Sequence, residues 1–280
     1  MSTTQQQDPY LSEWHPQDYL RQYYSTPDIP DDSRAVLQFL IEQLSRNGRE
    51  YSKALDFGCG PTLYNAISIA PYVQELHLAD YLPTNLREIR RWLDGEPEAH
   101  DWDVYFRGIL ELENGQTPTA EQVAVRKADL RRKMTALLEG DIRKPHPFGQ
   151  PQTFDLVASF FCIEAVSTDR KEWETFLRHL SSLVASGGML VLAAVRRCSR
   201  YEVLGRMFPA AYIDENDFAR LLPQLGFSTN GMIVRAVPIA AWVEEGFDSI
   251  CLVAATKEGN SEDQFSRHSI LPQSDAIPRV

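Results

Sequence analysis

Lys53-Ala-Leu-Asp-Phe-Gly-Cys-Gly-Pro61 is the stretch on which the fold turns. Lys53 to Phe57 reads as a short buried strand that runs straight into the Gly58-Cys59-Gly60 turn. A helix follows to about Ala70, and Glu75-Leu-His-Leu-Ala79 reads as a second strand ending at Asp80. This is the order in which an open α/β sheet builds a nucleoside site. Glycines let the chain turn tightly against a ligand beyond the strand ends, and an acid about 20 residues on hydrogen-bonds a ribose. A Gly-x-Gly alone is equally a structural turn; the strand before it, the helix after it and Asp80 at the proper distance separate the two readings.

The same alternation extends in both directions. Upstream, aromatics from Tyr10 to Tyr24 recur at three- and four-residue spacing, as on a short amphipathic helix. Asp31 or Asp32 is placed to cap a helix whose apolar face is Val36, Leu37, Leu40, Ile41 and Leu44, ended by Asn47-Gly48. Downstream come a helix over Asn85 to Leu93 and a long polar stretch over 96–147 with one helix from Ala120 to Leu138. Strand Phe154 to Ser159, helix Lys171 to Val184, strand Met189 to Val195 and helix Glu215 to Leu225 follow, then strands near Met232–Val237 and Ser249–Ala255. Strand–helix alternation predicts a mostly parallel sheet covered on both faces, and two consecutive strands at the end predict an antiparallel edge hairpin. The expectation is a single α/β, Rossmann-like domain over 1–257. It carries an N-terminal helical lid over 1–48, a helical insertion over 96–147, and a polar tail, 258–280, expected to be disordered.

Bulk properties exclude several classes. No apolar run approaches the roughly 18–20 residues of a membrane span, and the first residues lack the basic start and apolar middle of a signal peptide. Cys59, Cys162, Cys198 and Cys251 form no Cys-x-x-Cys pair, which fits a reduced, cytoplasmic protein. A net charge of −11 repels phosphate backbones, so nucleic acid is not the expected partner. The most basic stretch, Arg126 to Lys133, is interrupted by Asp129 and reads as a solvated helix face. The histidines form no paired motif, so no metal site is expected. A monomer or weak dimer is expected.

The glycine turn also discriminates between cofactors. A dinucleotide fingerprint wants a third glycine, but position 63 is Leu and Pro61 alters the turn. With no Tyr-x-x-x-Lys pair in the chain, S-adenosylmethionine (SAM) is favoured over nicotinamide or flavin cofactors.

Several further motifs carry a resemblance: Tyr10-Leu-Ser with Pro16-Gln-Asp-Tyr-Leu20 and Tyr23-Tyr24, Gly58-Cys-Gly-Pro-Thr-Leu-Tyr64, Asp80-Tyr81 with Asn85-Leu86, Arg91-Trp92-Leu93, Glu96-Pro97-Glu98-Ala99 with Trp102, and Phe161-Cys-Ile-Glu-Ala-Val-Ser167 with Asp169. From about Tyr10 to Lys257 the chain resembles the family of nicotinamide, phenylethanolamine and indolethylamine N-methyltransferases and thioether S-methyltransferase. The resemblance implies a class I methyltransferase sheet and methyl transfer from SAM, with S-adenosylhomocysteine (SAH) as product, to a small-molecule acceptor, foremost an amine or ring nitrogen. It also implies that Tyr19 and Tyr24 come from a lid over the cofactor. Gly58, Gly60, Thr62 and Tyr64 then line its methionine and ribose portion, Asp80 and Asn85 hold ribose and adenine, and Asp141 and Ile142 bracket the base.

On the acceptor side the resemblance implies Tyr23, Phe160, Glu164, Ala194, Cys198 and Tyr201, with Glu164 as the catalytic acid. Ala194 and Cys198 stand where family members carry acids that grip nicotinamide or an amine, which disfavours nicotinamide and catecholamine-type acceptors. Arg196 or Arg197 is a candidate for an anionic acceptor group, and Glu202, Glu244 and Glu245 are candidate replacement acids. S-methylation, another acceptor atom, and a SAM-consuming internal cyclisation remain open. So does a non-catalytic SAM-binding role, against which the lid tyrosines and Glu164 speak.

Overall fold

In the computed structural model, residues 8–240, 242, 247 and 249–259 are described. Seven strands form one sheet in the order β3-β2-β1-β4-β5-β9-β8. They are β1 (Tyr51–Phe57), β2 (Val73–Asp80), β3 (Met134–Glu139), β4 (Phe154–Phe160), β5 (Val184–Val195), β8 (Ile233–Pro238) and β9 (Ser249–Thr256). The first five run parallel, and β9 lies antiparallel between β5 and β8. The expected edge hairpin is therefore present. The remaining strands, β6 (Arg200–Val203) and β7 (Arg206–Pro209), form a separate antiparallel hairpin that the sequence reading lacks. Its Leu204-Gly205 turn has positive φ at both residues, the twist that suits a two-residue hairpin loop.

Two-residue periodicity divides the sheet's side chains between two cores. Met189, Val191 and Ala193 of β5, with Ile250, Leu252 and Ala254 of β9, face one layer. That layer holds α3 (Asp31–Asn47), α4 (Tyr64–Ile69), α5 (Pro83–Asp94), α6 (Asp103–Asn114) and α7 (Ala120–Lys133). Leu190, Leu192 and Ala194, with Cys251 and Val253, face α8 (Arg170–Ser182) and α9 (Glu215–Gln224). Two short helices, α1 (Pro9–Ser12) and α2 (Pro16–Tyr23), precede α3 and lie over the strand ends.

Several expectations are corrected. The helix expected from Ala120 to Leu138 stops at Lys133, and Met134–Glu139 is the edge strand β3. Part of the stretch read as insertion thus belongs to the sheet; its run Met134-Thr-Ala-Leu-Leu suits a helix as well as a strand, and pairing with β2 decides. The basic face of α7 is not merely solvated. Arg126 makes a two-pronged ion pair with Glu113, Arg131 stacks on the Trp92 ring at 4.1 Å, and Lys133 donates to the Ala70 carbonyl at 2.7 Å. Neither Asp31 nor Asp32 caps α3; both sit in its first turn, where they favour the helix dipole, and Gly48 ends the helix in the left-handed region as expected. From residue 260 the expected disordered tail lies outside the described residues, as do Glu244 and Glu245.

Candidate active site

The strand order reverses between β1 and β4, and there the C-terminal ends of β1 to β4 open into a cavity of about 1210 Å³. Its floor begins at Gly58, whose φ of +71° is left-handed. A Cβ there would collide with the Cys162 side chain, so both conformation and space require glycine. The Gly58 and Cys59 amides donate to the Ala79 carbonyl at 2.8 and 3.0 Å, tying the turn to β2. Thr62 Oγ1 donates to the Cys59 carbonyl at 2.7 Å and braces the loop.

Asp80 organises the rest of the floor. Its Oδ1 accepts from Leu82 N at 2.8 Å and Asn85 Nδ2 at 2.9 Å, and its Oδ2 accepts from Gly60 N at 2.8 Å. Burial pushes its pKa up, and these three donors pull it back. A carboxylate has about four lone-pair sites, so Oδ2 keeps one for a hydroxyl in the cavity. Beyond β3, Asp141 is gripped by Arg143 at 2.8 Å; that guanidinium also reaches Asp8 at 2.9 Å and covers the Tyr81 ring.

The roof is aromatic. Tyr10, Trp14, Tyr19 and Tyr24 descend from the N-terminal segment, and Tyr201 and Phe208 come from the β6–β7 hairpin. Tyr10 Oη lies 2.8 Å from Tyr201 Oη and donates to the Ala165 carbonyl at 2.7 Å. The segment is latched to the hairpin from outside as well. Arg206 bonds Asp18 at 2.9 Å, Tyr23 Oη donates to the Glu202 carbonyl at 2.7 Å, and Leu204 N donates to Gln22 at 2.7 Å. Burial raises the pKa of Tyr10, Tyr19, Tyr24, Tyr64 and Tyr201, so the roof is neutral at physiological pH. Between floor and roof, Phe161 is held at φ +53°, a strained conformation for a bulky residue and one typical of functional sites.

The structure brings most of the expected residues together. Tyr19, Tyr24, Gly58, Gly60, Thr62, Tyr64, Asp80, Asn85, Asp141, Ile142, Phe160 and Tyr201 all line the cavity. Four do not. Ala194 points the other way, into the α8–α9 core, by the parity of β5. Cys198 is buried with Sγ on the Arg200 carbonyl, and Tyr23 is turned outward to Glu202. Glu164 is 2% exposed and lies off the cavity wall. Its Oε1 accepts from Val195 N at 3.0 Å, Oε2 has no protein partner, and burial pushes its pKa up to about 7. Arg196 and Arg197 are engaged by Glu215 and Asp214 at the start of α9 rather than offered to an anion. Glu202 accepts from Gly205 N and closes the hairpin turn.

Trp14, Phe161, Arg143 and Phe208 line the cavity beyond the residues that the sequence points to. Trp14 belongs to the N-terminal aromatic series, which was the available signal. Phe208 could be found only through the Leu204-Gly205 turn, since the hairpin alone carries it to the cavity.

Comparison with known proteins agrees with this architecture. A family model described as the NNMT/PNMT/TEMT family matches residues 2–258. The indolethylamine N-methyltransferase of Mus musculus is 29% identical over 259 residues, 89% of this chain and 95% of that protein. The nicotinamide N-methyltransferase of Homo sapiens is 29% identical over 265 residues, 92% of this chain and 93% of that protein. Among solved structures, the magnesium protoporphyrin IX methyltransferase of Synechocystis PCC 6803 with bound SAM superposes with a TM-score of 0.52 at 16% identity, covering 90% of this chain and 95% of that one. That last likeness is one of fold.

Proposed function

The chain belongs to the NNMT/PNMT/TEMT family, and from that premise we propose that it transfers a methyl group from SAM to a small-molecule acceptor, at an amine or ring nitrogen. The observation that carries the reading is the cavity floor: a glycine turn after β1, Asp80 at the end of β2, and one acceptor site left on Asp80 Oδ2 beside Asn85. These residues fit SAM. Asp80 and Asn85 would hold its ribose, Gly58 to Gly60 would lie against its methionine portion, and Asp141 and Ile142 would flank its base.

When bound, SAM supplies an electrophilic methyl group on a sulfonium. The protein's part is alignment and exclusion of water. A neutral nitrogen already carries its lone pair, and the neutral tyrosine roof gives it a dry, aromatic wall. Glu164 is off the wall, so we assign it a positioning role: it fixes the Val195 amide and holds a proton near neutrality, one layer behind the acceptor. The position of Glu164 off the wall also favours a second reading, S-methylation, because a thioether needs no base. The four free thiols fit a reducing cytoplasm, and we propose a monomer or weak dimer there.

The test is SAH formation from methyl-labelled SAM across amines, azaheterocycles, amino acids and thioethers, with a no-acceptor control. Label in a nitrogen product supports the reading. Label only in thioethers favours the second one, and SAM loss without acceptor overturns both in favour of an internal reaction.

A further inference from the structure

Trp14 stands between α1 and α2, where the roof meets the floor. Its indole Nε1 donates to Asn85 Oδ1 at 2.8 Å, and Asn85 Nδ2 donates to Asp80 Oδ1 at 2.9 Å. Asn85 is 3% exposed, so leaving its amide oxygen without a donor is costly. The polarity of this relay is set from one end. Asp80 already accepts from the Gly60 and Leu82 amides, so Asn85 must offer it the NH₂ group. The amide oxygen then faces the roof, and tryptophan, a donor only, satisfies it. A reversed amide would set NH₂ against the indole N–H and oxygen against the carboxylate.

The same indole packs on the rest of the roof. Its centroid lies 4.8 Å from Tyr19 and 5.8 Å from Tyr10, and Phe208 meets it edge-on at 5.4 Å. Trp14 therefore touches α1, α2 and the hairpin while bonded to the floor. Two further side-chain bonds from this segment to the floor side, Gln17 to Glu88 and Asp8 to Arg143, are solvent-exposed and contribute little, whereas Tyr10 on the Ala165 carbonyl is partly buried.

We propose that Trp14 is a positioning residue that couples occupancy of the Asp80–Asn85 subsite to assembly of the acceptor wall. A ligand ribose held there stabilises the Asn85 orientation that Asp80 already sets and that accepts from Trp14. Trp14 in turn holds Tyr10, Tyr19 and Phe208 in register. Linkage makes the coupling reciprocal, so an acceptor seated against the roof tightens the cofactor site. The inference rests on the reading of Asp80 and Asn85 as a ribose subsite.

Hydrogen–deuterium exchange with and without saturating SAH tests it, in wild type, Trp14→Phe, Asn85→Ala and the double variant. In wild type, SAH slows exchange over both the floor, 56–60, and the lid, 8–24. Trp14→Phe keeps an aromatic ring, smaller than the indole, but loses the donor. SAH affinity falls about three- to tenfold, and at saturation protection persists over 56–60 but is lost over 8–24. Adding Trp14→Phe to Asn85→Ala changes lid exchange no further, which a purely packing role for the ring would not produce. Full SAH-induced lid protection in Trp14→Phe, or independent effects in the double variant, overturns the coupling alone. Absence of SAH binding to wild type overturns the ribose subsite and the coupling with it.

Discussion

The floor and the roof of the cavity are built by different means. The floor comes from strand ends, and its polar contacts are mostly backbone amides: Gly58 and Cys59 on the Ala79 carbonyl, and Gly60 and Leu82 on Asp80. Such groups are placed by sheet register rather than by side-chain packing. The roof is made of side chains from two segments far apart in the chain, meeting at Tyr10 and Tyr201, and its position depends on hydroxyls, rings and surface latches. A rigid floor suits a cofactor whose chemistry does not vary. Apart from Trp14, which bonds the floor, the neutral aromatic rings of the roof can be altered for a different acceptor without disturbing the floor, which is the division of labour expected where one fold serves several substrates.

Substitutions can break or sharpen this contrast. The largest effect is expected at Gly58→Ala, where a left-handed backbone and the Cys162 collision together cost about 4 kcal/mol; chemical denaturation measures it, and a loss below 1 kcal/mol means that the floor yields. Glu164→Gln tests the layer behind the roof. A carboxyl raised from 4.5 to about 7 stabilises the fold at low pH and loses that contribution as pH climbs from 4.5 through 7. Between pH 5 and 8 the Gln variant should therefore gain up to about 3 kcal/mol relative to wild type. Parallel pH–stability curves for the two proteins would remove Glu164's raised pKa from the account.

Asp80→Ala should weaken SAH binding about 100-fold, or about 2.7 kcal/mol, in calorimetry; unchanged affinity would mean the ribose acid is misassigned. The smallest effect belongs to the roof. Tyr10→Phe removes one hydroxyl shared with Ala165 and Tyr201, so the acceptor KM should rise about fivefold, near 1 kcal/mol, with SAH affinity held within about twofold. An equal loss for both ligands would erase the distinction between the regions.

The same contrast decides what was legible in the sequence. The glycine turn, Asp80 and Asn85 lie within one strand–helix–strand–helix run, β1 to α5, so local pattern suffices to place them. Sheet parity is also local in principle, yet Ala194 was expected at the cavity: motif likeness marks a position along the chain, and only strand pairing fixes the face on which its side chain falls. The sequence order places Glu164 just beyond β4, but its carboxylate turns to the Val195 amide, a contact that no sequence spacing reveals. The hairpin escapes the sequence reading because its strands are four residues each, too short for a period of two to show, and Phe208 goes with it. The strand β3 was hidden in a helical reading because Met134 to Leu138 has no periodicity of its own.

The central claim is that this floor binds the methyl donor, and titration of SAH into the wild-type protein tests it most directly. The account predicts one molecule bound per chain at micromolar dissociation constant or tighter, with a melting temperature that climbs with SAH concentration. Neither heat of binding nor any shift in melting temperature at millimolar SAH would contradict it.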